Sequence, residues 1–118
     1  MPTFYPSISS NLADWALNQP LFFTASAPLA GRHVNISPKG HPRSTFRILD
    51  ENHAAYIDAT GSGSETISHA YEPGNGRVTI MFCSFGASPR IMRFFCNASV
   101  VEWDQGSRWD DAVKRFGM

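Results

Sequence analysis

The sequence has no excess of charge of either sign. Its ten basic and ten acidic side chains cancel, and together they make up only 17% of the residues. A protein that binds nucleic acid through its phosphates needs clustered Lys and Arg. The eight Arg residues of this chain are scattered along it. We therefore expect no nucleic-acid partner.

Long apolar runs are also missing. The least charged region is the N-terminus, where Asp14 is the only charged side chain before Arg32. Its apolar part, PLFFTASAPLA, is too short and too polar to span a bilayer. No basic segment precedes it, as one would in a signal peptide. From these features we expect no membrane partner and a cytoplasmic location.

Cysteine is scarce, and the only two residues, Cys83 and Cys96, fall on adjacent predicted strands of one hairpin. If the turn is centred on GASP, residues 86–89, Cys83 faces Met92 and Cys96 faces Thr79. The two thiols are then not cross-strand partners. We therefore expect both to be free rather than joined in a disulfide.

Patterns for metal binding and nucleophilic catalysis are absent as well. The four histidines and two cysteines do not fall at the spacings of a zinc site, so we expect no metal. The run GSGSE does not match the Gly-x-Ser-x-Gly elbow of serine hydrolases, because Glu65 follows Ser64. The sequence predicts no catalytic acid, base or nucleophile at a particular position.

The sequence does contain many short segments of strand type, and its aromatic content of 13% allows a packed interior. Helical patterns occupy SSNLADWALNQ and SETISHAY, and DDAVKRFG is long enough for one or two turns. Strand patterns occupy LFFTASA, RHVNISPKG, STFRILD, AAYIDAT, RVTIMFCSF and RIMRFFCNASVVEW. Strands do not alternate with helices, so the predicted fold is mainly β, an antiparallel barrel with short peripheral helices.

One strand has a polar side that bears on function. In RHVNISPKG, Val34 and Ile36 alternate with Asn35 and Ser37, which predicts a half-buried strand whose polar face is available. Pro38 restricts this strand to an edge or an end of the sheet.

The segment TGSGSETISH, residues 60–69, admits two interpretations. A helix that begins there offers unpaired N–H groups, and the flanking glycines would let a phosphate approach them. Alternatively, Ser62 and Glu65 form a capping box, which satisfies the helix end internally, and the carboxylate repels a phosphate.

A nearby cation would favour the phosphate interpretation. Lys39 ends a predicted strand, and Arg90 and Arg93 lie on the last hairpin. Residues three apart on a strand point to opposite faces, so both arginines would reach one site only if a bulge intervened.

In chain order, the segments QPLFFTASAPL, GRHVNISPKG, AAYIDATGSGSETISHAYEPGNGRVTIMFCSF and SPRIMRFF resemble the pyridoxamine 5′-phosphate oxidase-like family. More narrowly, they are similar to its fungal and bacterial branch of flavin-binding proteins. The similarity runs from about Gln19 to Val101. It implies an antiparallel Greek-key split barrel that forms a homodimer and holds FMN in a groove between the subunits. The length of 118 residues predicts a single domain, which we divide into an N-terminal helical lead (1–19), the barrel (20–104) and a C-terminal tail (105–118).

The resemblance further implies which residues contact FMN. Lys39 matches the Lys at the end of the family's first flavin-contacting strand. The Gly-Ser segment matches the family's Ser-Arg-Lys phosphate-binding segment, and two arginines match its RxxR strand. The implied contacts are Asn35, Ser37, Lys39, Thr60, Ser62, Ser64, Thr66, Arg90 and Arg93.

Several positions depart from the family pattern. Glu65 and Thr66 stand in place of the Arg and Lys of the phosphate segment, Ile91 in place of a Gln, and Cys96 in place of a Gly. The sequence also ends before a further strand that this branch is expected to have. Two functions stay open: an FMN-dependent oxidoreductase acting on an unidentified small molecule, or a split barrel without FMN that is a cofactor-free enzyme or a small-molecule binding module.

Overall fold

The computed structural model describes residues 3–58 and 64–117. The elements follow the predicted order, with one short helix, α2, that the sequence did not predict. They are α1 (Ser10–Leu17), β1 (Leu21–Ser26), β2 (Asn35–Gly40), α2 (Pro42–Thr45), β3 (Phe46–Asp50), β4 (His53–Tyr56), α3 (Ser64–Tyr71), β5 (Arg77–Cys83), β6 (Ile91–Asn97) and α4 (Ser107–Phe116). Helix α4 has ten residues and is longer than the one or two turns predicted. Within the described ranges, no helix is both long and apolar enough to cross a bilayer.

The described strands form two antiparallel sheets. The larger has the order β2-β1-β5-β6, and the smaller pairs β3 with β4. Strand β2 lies at an edge of the larger sheet, as Pro38 predicted. The β-rich antiparallel architecture with peripheral helices is confirmed. Closure into a barrel and the Greek-key path stay predictions, because the described strands form two separate sheets.

The hydrophobic core lies on one side of the four-stranded sheet, here called its inner face. Alternate residues of β1 and β5 are buried there, among them Phe22, Ile80 and Phe82. The rings of Phe22 and Phe82 stack with their centroids 5.3 Å apart, and Phe46 of β3 packs edge-on against both. These aromatic contacts join the two sheets. Ala16 of α1 completes the buried cluster.

The polar side of β2 is largely covered, whereas the prediction had it available to solvent. Ser37 is 1% exposed, whereas Ile36 on the opposite side is 61% exposed. The polar side chains point to the inner face because helix α3 covers that end of the sheet and supplies hydrogen-bond partners, as described below. Alternation in the sequence gives the period of a strand, but it does not reveal which side will be covered.

The register of the last hairpin differs by one residue from the prediction. Cys83 pairs with Ile91 and Cys96 with Val78, instead of Met92 and Thr79. The cause is the loop: the Ser84 hydroxyl accepts from the Arg90 N–H at 2.7 Å and donates to a carbonyl within the loop at 3.1 Å. These bonds leave five residues in the turn.

Both thiols are free, as predicted, and they lie on opposite faces of the sheet. Cys96 packs against the core, and burial raises its pKa. Cys83 alternates with the buried residues of β5 and therefore belongs to the other side, here called the outer face.

The C-terminal helix holds the smaller sheet. The Arg47 guanidinium of β3 lies over the Phe116 ring, 4.6 Å from its centroid, and its Nε donates to the Phe116 carbonyl at 3.1 Å. At the other end of the chain, helix α1 begins as predicted, because the Ser9 side chain accepts from the Leu12 N–H at 3.3 Å.

We expect Phe82→Ala to lower the free energy of unfolding by about 3–5 kcal/mol, since it removes a fully buried ring from the aromatic contacts. Phe85→Ala is the matched control, because the Phe85 side chain is 68% exposed and should change stability by less than about 0.5 kcal/mol. Urea unfolding followed by circular dichroism measures both. Equal losses in the two variants would contradict this assignment of the core.

Candidate functional site

The candidate site lies on the inner face of edge strand β2. Strand alternation puts Asn35, Ser37 and Lys39 on this face, beside Thr24 and Ser26 of β1. These side chains continue the face that carries the aromatic core on β5. The inner face is therefore aromatic towards β5 and polar towards β2.

Helix α3 is held to β1 and β2 by hydrogen bonds. The Asn35 amide Nδ2 donates to the Thr66 hydroxyl at 2.9 Å and to the Ser26 hydroxyl at 3.5 Å. The Ser26 hydroxyl also bonds His69 Nδ1 at 2.7 Å, and Ser37 donates to Asn35 Oδ1 at 3.5 Å. Burial of these polar groups is therefore compensated. We call these five residues the polar cluster.

Two members of the polar cluster, Ser26 and His69, were missed from the sequence. Ser26 continues the buried alternation of Phe22 and Thr24 along β1, and His69 follows Thr66 by one helical turn. The strand alternation at Ser26 and the helical spacing of His69 from Thr66 were the available signals that each side chain faces the site. Neither indicates the partner, because residues 26 and 69 meet only after α3 packs on the sheet.

Lys39 is already paired. Its Nζ lies 3.2 Å from Asp58 Oδ1, and each of the two side chains is 13% exposed. The same ammonium lies 5.8 Å from the centre of the Tyr56 ring. The second carboxylate oxygen of Asp58, Oδ2, is buried and has no hydrogen-bond partner among the residues that the structure describes. Asp58 was not predicted as part of the site: it belongs to the strand pattern AAYIDAT, but that pattern does not indicate Lys39 as its partner.

Tyr56 remains protonated at neutral pH. Burial first, and then the negative charge of Asp58, raises the pKa of its hydroxyl to about 12. The Tyr56 ring therefore offers Lys39 a neutral aromatic face rather than a second anion.

The structure brings together four of the nine predicted contact residues. Asn35, Ser37 and Thr66 are in the polar cluster, and Lys39 lies on the same face of β2. Ser64 is exposed at the start of α3. Thr60 and Ser62 lie outside the described residues. The choice between phosphate binding at this helix end and a capping box therefore falls outside them too.

The two arginines do not join this group within one chain. Arg93 is exposed on the outer face of β6, and three interstrand spacings, about 14 Å, separate β6 from β2. Arg90 precedes β6 and is also exposed. The predicted contacts therefore form two separate groups, one on β2 and α3 and the other on β6.

The outer face of the four-stranded sheet is apolar and uncovered by the described residues. Ile36 and Ile91 are each 61% exposed there, and Phe95 is 73% exposed. Its charged side chains within the described strands are the two cations Arg77 and Arg93. Exposed apolar surface of this kind is typical of a protein–protein contact.

Neither of two cavities in the described part of the chain is lined by Lys39. One of about 220 Å³ lies between the end of α1 and the start of α2, and one of about 170 Å³ lies beside Arg77 and Thr79. Pockets that enclose small organic ligands usually measure roughly 300–1,000 Å³. Neither cavity is large enough to enclose a flavin within one chain.

Comparison with known proteins gives one strong similarity. No model of a known protein family matches the chain, and no solved structure matches it. A curated protein of Aspergillus flavus, the pyridoxamine 5′-phosphate oxidase family protein ustO, is 59% identical to the chain over 118 residues. The alignment covers 100% of this chain and 46% of that relative, so the chain spans about half the length of the protein it matches.

We expect the free energy of unfolding to fall less at high pH in Tyr56→Phe than in the parent chain. Because folding raises the pKa of Tyr56 from 10.0 to about 12, its contribution to stability is complete below pH 10 and is lost as the pH rises through 12. Since the ring is only partly buried, we expect this loss to be about 1–2 kcal/mol. Urea unfolding at pH 9 and pH 11.5 measures it.

Tyr71→Phe is the control for this measurement. A hydrogen bond to Glu102 raises the pKa of Tyr71, but that side chain is about half exposed. Tyr71→Phe should still lose most of the stability that the parent chain loses between pH 9 and pH 11.5. If Tyr56→Phe loses as much stability over this range as the parent chain, ionisation of Tyr56 is not the cause of the loss.

Proposed function

Because the chain belongs to the pyridoxamine 5′-phosphate oxidase-like family, we propose that it is an FMN-binding flavoprotein of oxidoreductase type that acts on a small molecule as a homodimer. When bound, FMN would supply the redox chemistry. The protein would hold the cofactor and set the electrostatics around it.

The main support for this proposal is that Asn35, Ser37 and Thr66 meet in the polar cluster and that Lys39 lies on the same face of β2. Four residues that the family resemblance assigned to FMN lie along one strand and the helix packed on it. Asp58 contacts Lys39, and Ser64 begins α3, the helix that Thr66 joins to β2.

The donor set fits a phosphate group. Lys39 offers an ammonium, Ser64 an exposed hydroxyl, and the first turn of α3 offers backbone N–H groups at the positive end of the helix dipole. The polar cluster would orient these donors by fixing α3 against the sheet. Asn35, Ser37 and Thr66 would therefore act chiefly as positioning residues, since their polar atoms already bond one another.

The homodimer is proposed because one chain leaves the FMN site incomplete. Lys39 and Arg93 of β6 are separated by the width of the sheet, and neither of the two cavities described above could enclose a flavin. A second copy packed on the apolar outer face would cover Ile36, Ile91 and Phe95 and bring its own Arg90 and Arg93 to the interface. The flavin groove would then run along the free edge of β2, where the inner face with Lys39 meets the outer face that the second copy covers.

One observation favours the alternative function, a split barrel that has lost FMN. The charge of Lys39 is neutralised by Asp58, and Glu65 adds a carboxylate in the first turn of α3. Without a further cation, the described surroundings of Lys39 do not carry the positive charge that a phosphate prefers. A cofactor-free enzyme or a binding module for a neutral small molecule is consistent with this balance.

We expect the purified chain to be yellow or to take up added FMN, and Lys39→Ala to weaken FMN binding at least tenfold, because a charge-assisted contact to the phosphate is lost. Lys114→Ala is the matched control, since it removes the other lysine, which is exposed on α4. Quenching of flavin fluorescence measures the dissociation constants. Colourless protein that takes up no FMN would favour the cofactor-free alternative.

We expect Phe95→Lys to convert a dimer into a monomer, because it puts a charge on the apolar outer face that the second copy would cover. Phe4→Lys is the control, since the Phe4 side chain is 79% exposed but lies outside the sheet. Light scattering after size-exclusion chromatography measures the mass. A monomeric parent chain, or a Phe95→Lys variant that remains dimeric, would rule out this interface.

A further inference from the structure

In the Lys39–Asp58 ion pair, only one of the two carboxylate oxygens has a partner among the described residues. Oδ1 contacts the ammonium at 3.2 Å, while Oδ2 is buried without a hydrogen-bond donor among the described residues. A buried ion pair recovers its desolvation cost only when its remaining lone pairs are also hydrogen-bonded. This pair is therefore easier to break than a fully bonded one.

Lys39 has a second contact that does not depend on Asp58. The Tyr56 ring lies 5.8 Å from the ammonium, and the electron-rich face of an aromatic ring attracts a cation. Tyr56 is neutral at physiological pH, as shown above. The ring can thus keep Lys39 near its position while the ammonium exchanges one anion for another.

We infer that Asp58 is a specificity-determining residue that competes with the ligand phosphate for Lys39. In the ligand-free chain its carboxylate holds the ammonium, and a phosphate monoester binds by replacing Asp58 at Lys39. A dianionic phosphate makes this exchange favourable because it offers more negative charge and more acceptor oxygens than one carboxylate. This inference rests on the proposed function and adds to it a residue that weakens binding of the ligand phosphate.

The exchange predicts that one substitution raises the affinity for the ligand and lowers the stability of the chain. Asp58→Asn removes the competing charge, so FMN and inorganic phosphate should each bind at least tenfold more tightly. The same change leaves Lys39 poorly exposed without a counter-charge, so the melting temperature of the ligand-free variant should fall by several degrees. An ion pair with a purely structural role would lower stability and leave affinity unchanged or weaker.

The test compares the parent chain, Asp58→Asn and Asp50→Asn by calorimetric titration with inorganic phosphate and with FMN. Asp50 is a suitable control because its side chain is 48% exposed and it pairs with His53 and Arg115 instead of Lys39. Asp50→Asn removes the same unit of charge as Asp58→Asn. Because Asp50 does not pair with Lys39, this variant should change the affinity less than twofold. In the double variant Asp58→Asn/Lys39→Met, the gain in affinity should disappear.

The outcomes separate the two proposals. If the parent chain binds FMN and Asp58→Asn binds it equally or less tightly, the competition is wrong while the proposed function stands. If Asp58→Asn alone binds phosphate, the competition is supported. If neither protein binds phosphate or FMN, both proposals are overturned.

A measurement on the unmodified chain avoids any effect of the substitution on folding. Addition of phosphate should shift the ¹³C resonance of the Asp58 carboxylate, because its ammonium partner is withdrawn. A resonance that stays unchanged while phosphate binds would overturn the exchange.

Discussion

The amide of Asn35 is the group on which the functional half of the molecule depends. It donates to Thr66 and Ser26 and accepts from Ser37, so one side chain joins β1, β2 and α3. Each of these polar groups would cost about 1–3 kcal/mol if it were buried without a partner. Helix α3 can therefore cover this end of the sheet only in the position that satisfies Asn35.

The orientation of Lys39 follows from the same constraint. Because strand residues alternate, fixing Asn35 and Ser37 towards the inner face also directs Lys39 there. The ammonium then reaches Asp58 and the ring of Tyr56 instead of solvent. A hydrogen bond at one end of β2 thus determines the electrostatic environment at the other end.

Much of the local structure could be predicted from the sequence, because periodicity and capping are local. The bounds of α3 and the edge position of β2 both follow from short patterns such as SETISHAY and Pro38. Properties that depend on distant partners could not be predicted. The covered side of β2 is set by Thr66, and the register of the last hairpin by the Ser84 hydroxyl. The partner of Lys39 is Asp58, which follows β4 of the smaller sheet, so the pairing depends on how the two sheets pack and no spacing in the sequence indicates it.

The two free cysteines allow the two sides of the larger sheet to be followed by their chemical reactivity. Cys83 is on the outer face, and Cys96 packs against the core with a raised pKa. Alkylation requires the thiolate and access to it. The rate at Cys83 would therefore follow the covering of the outer face, whereas the rate at Cys96 would follow opening of the interior. The last hairpin thus contains two natural labelling positions, one for association and one for unfolding.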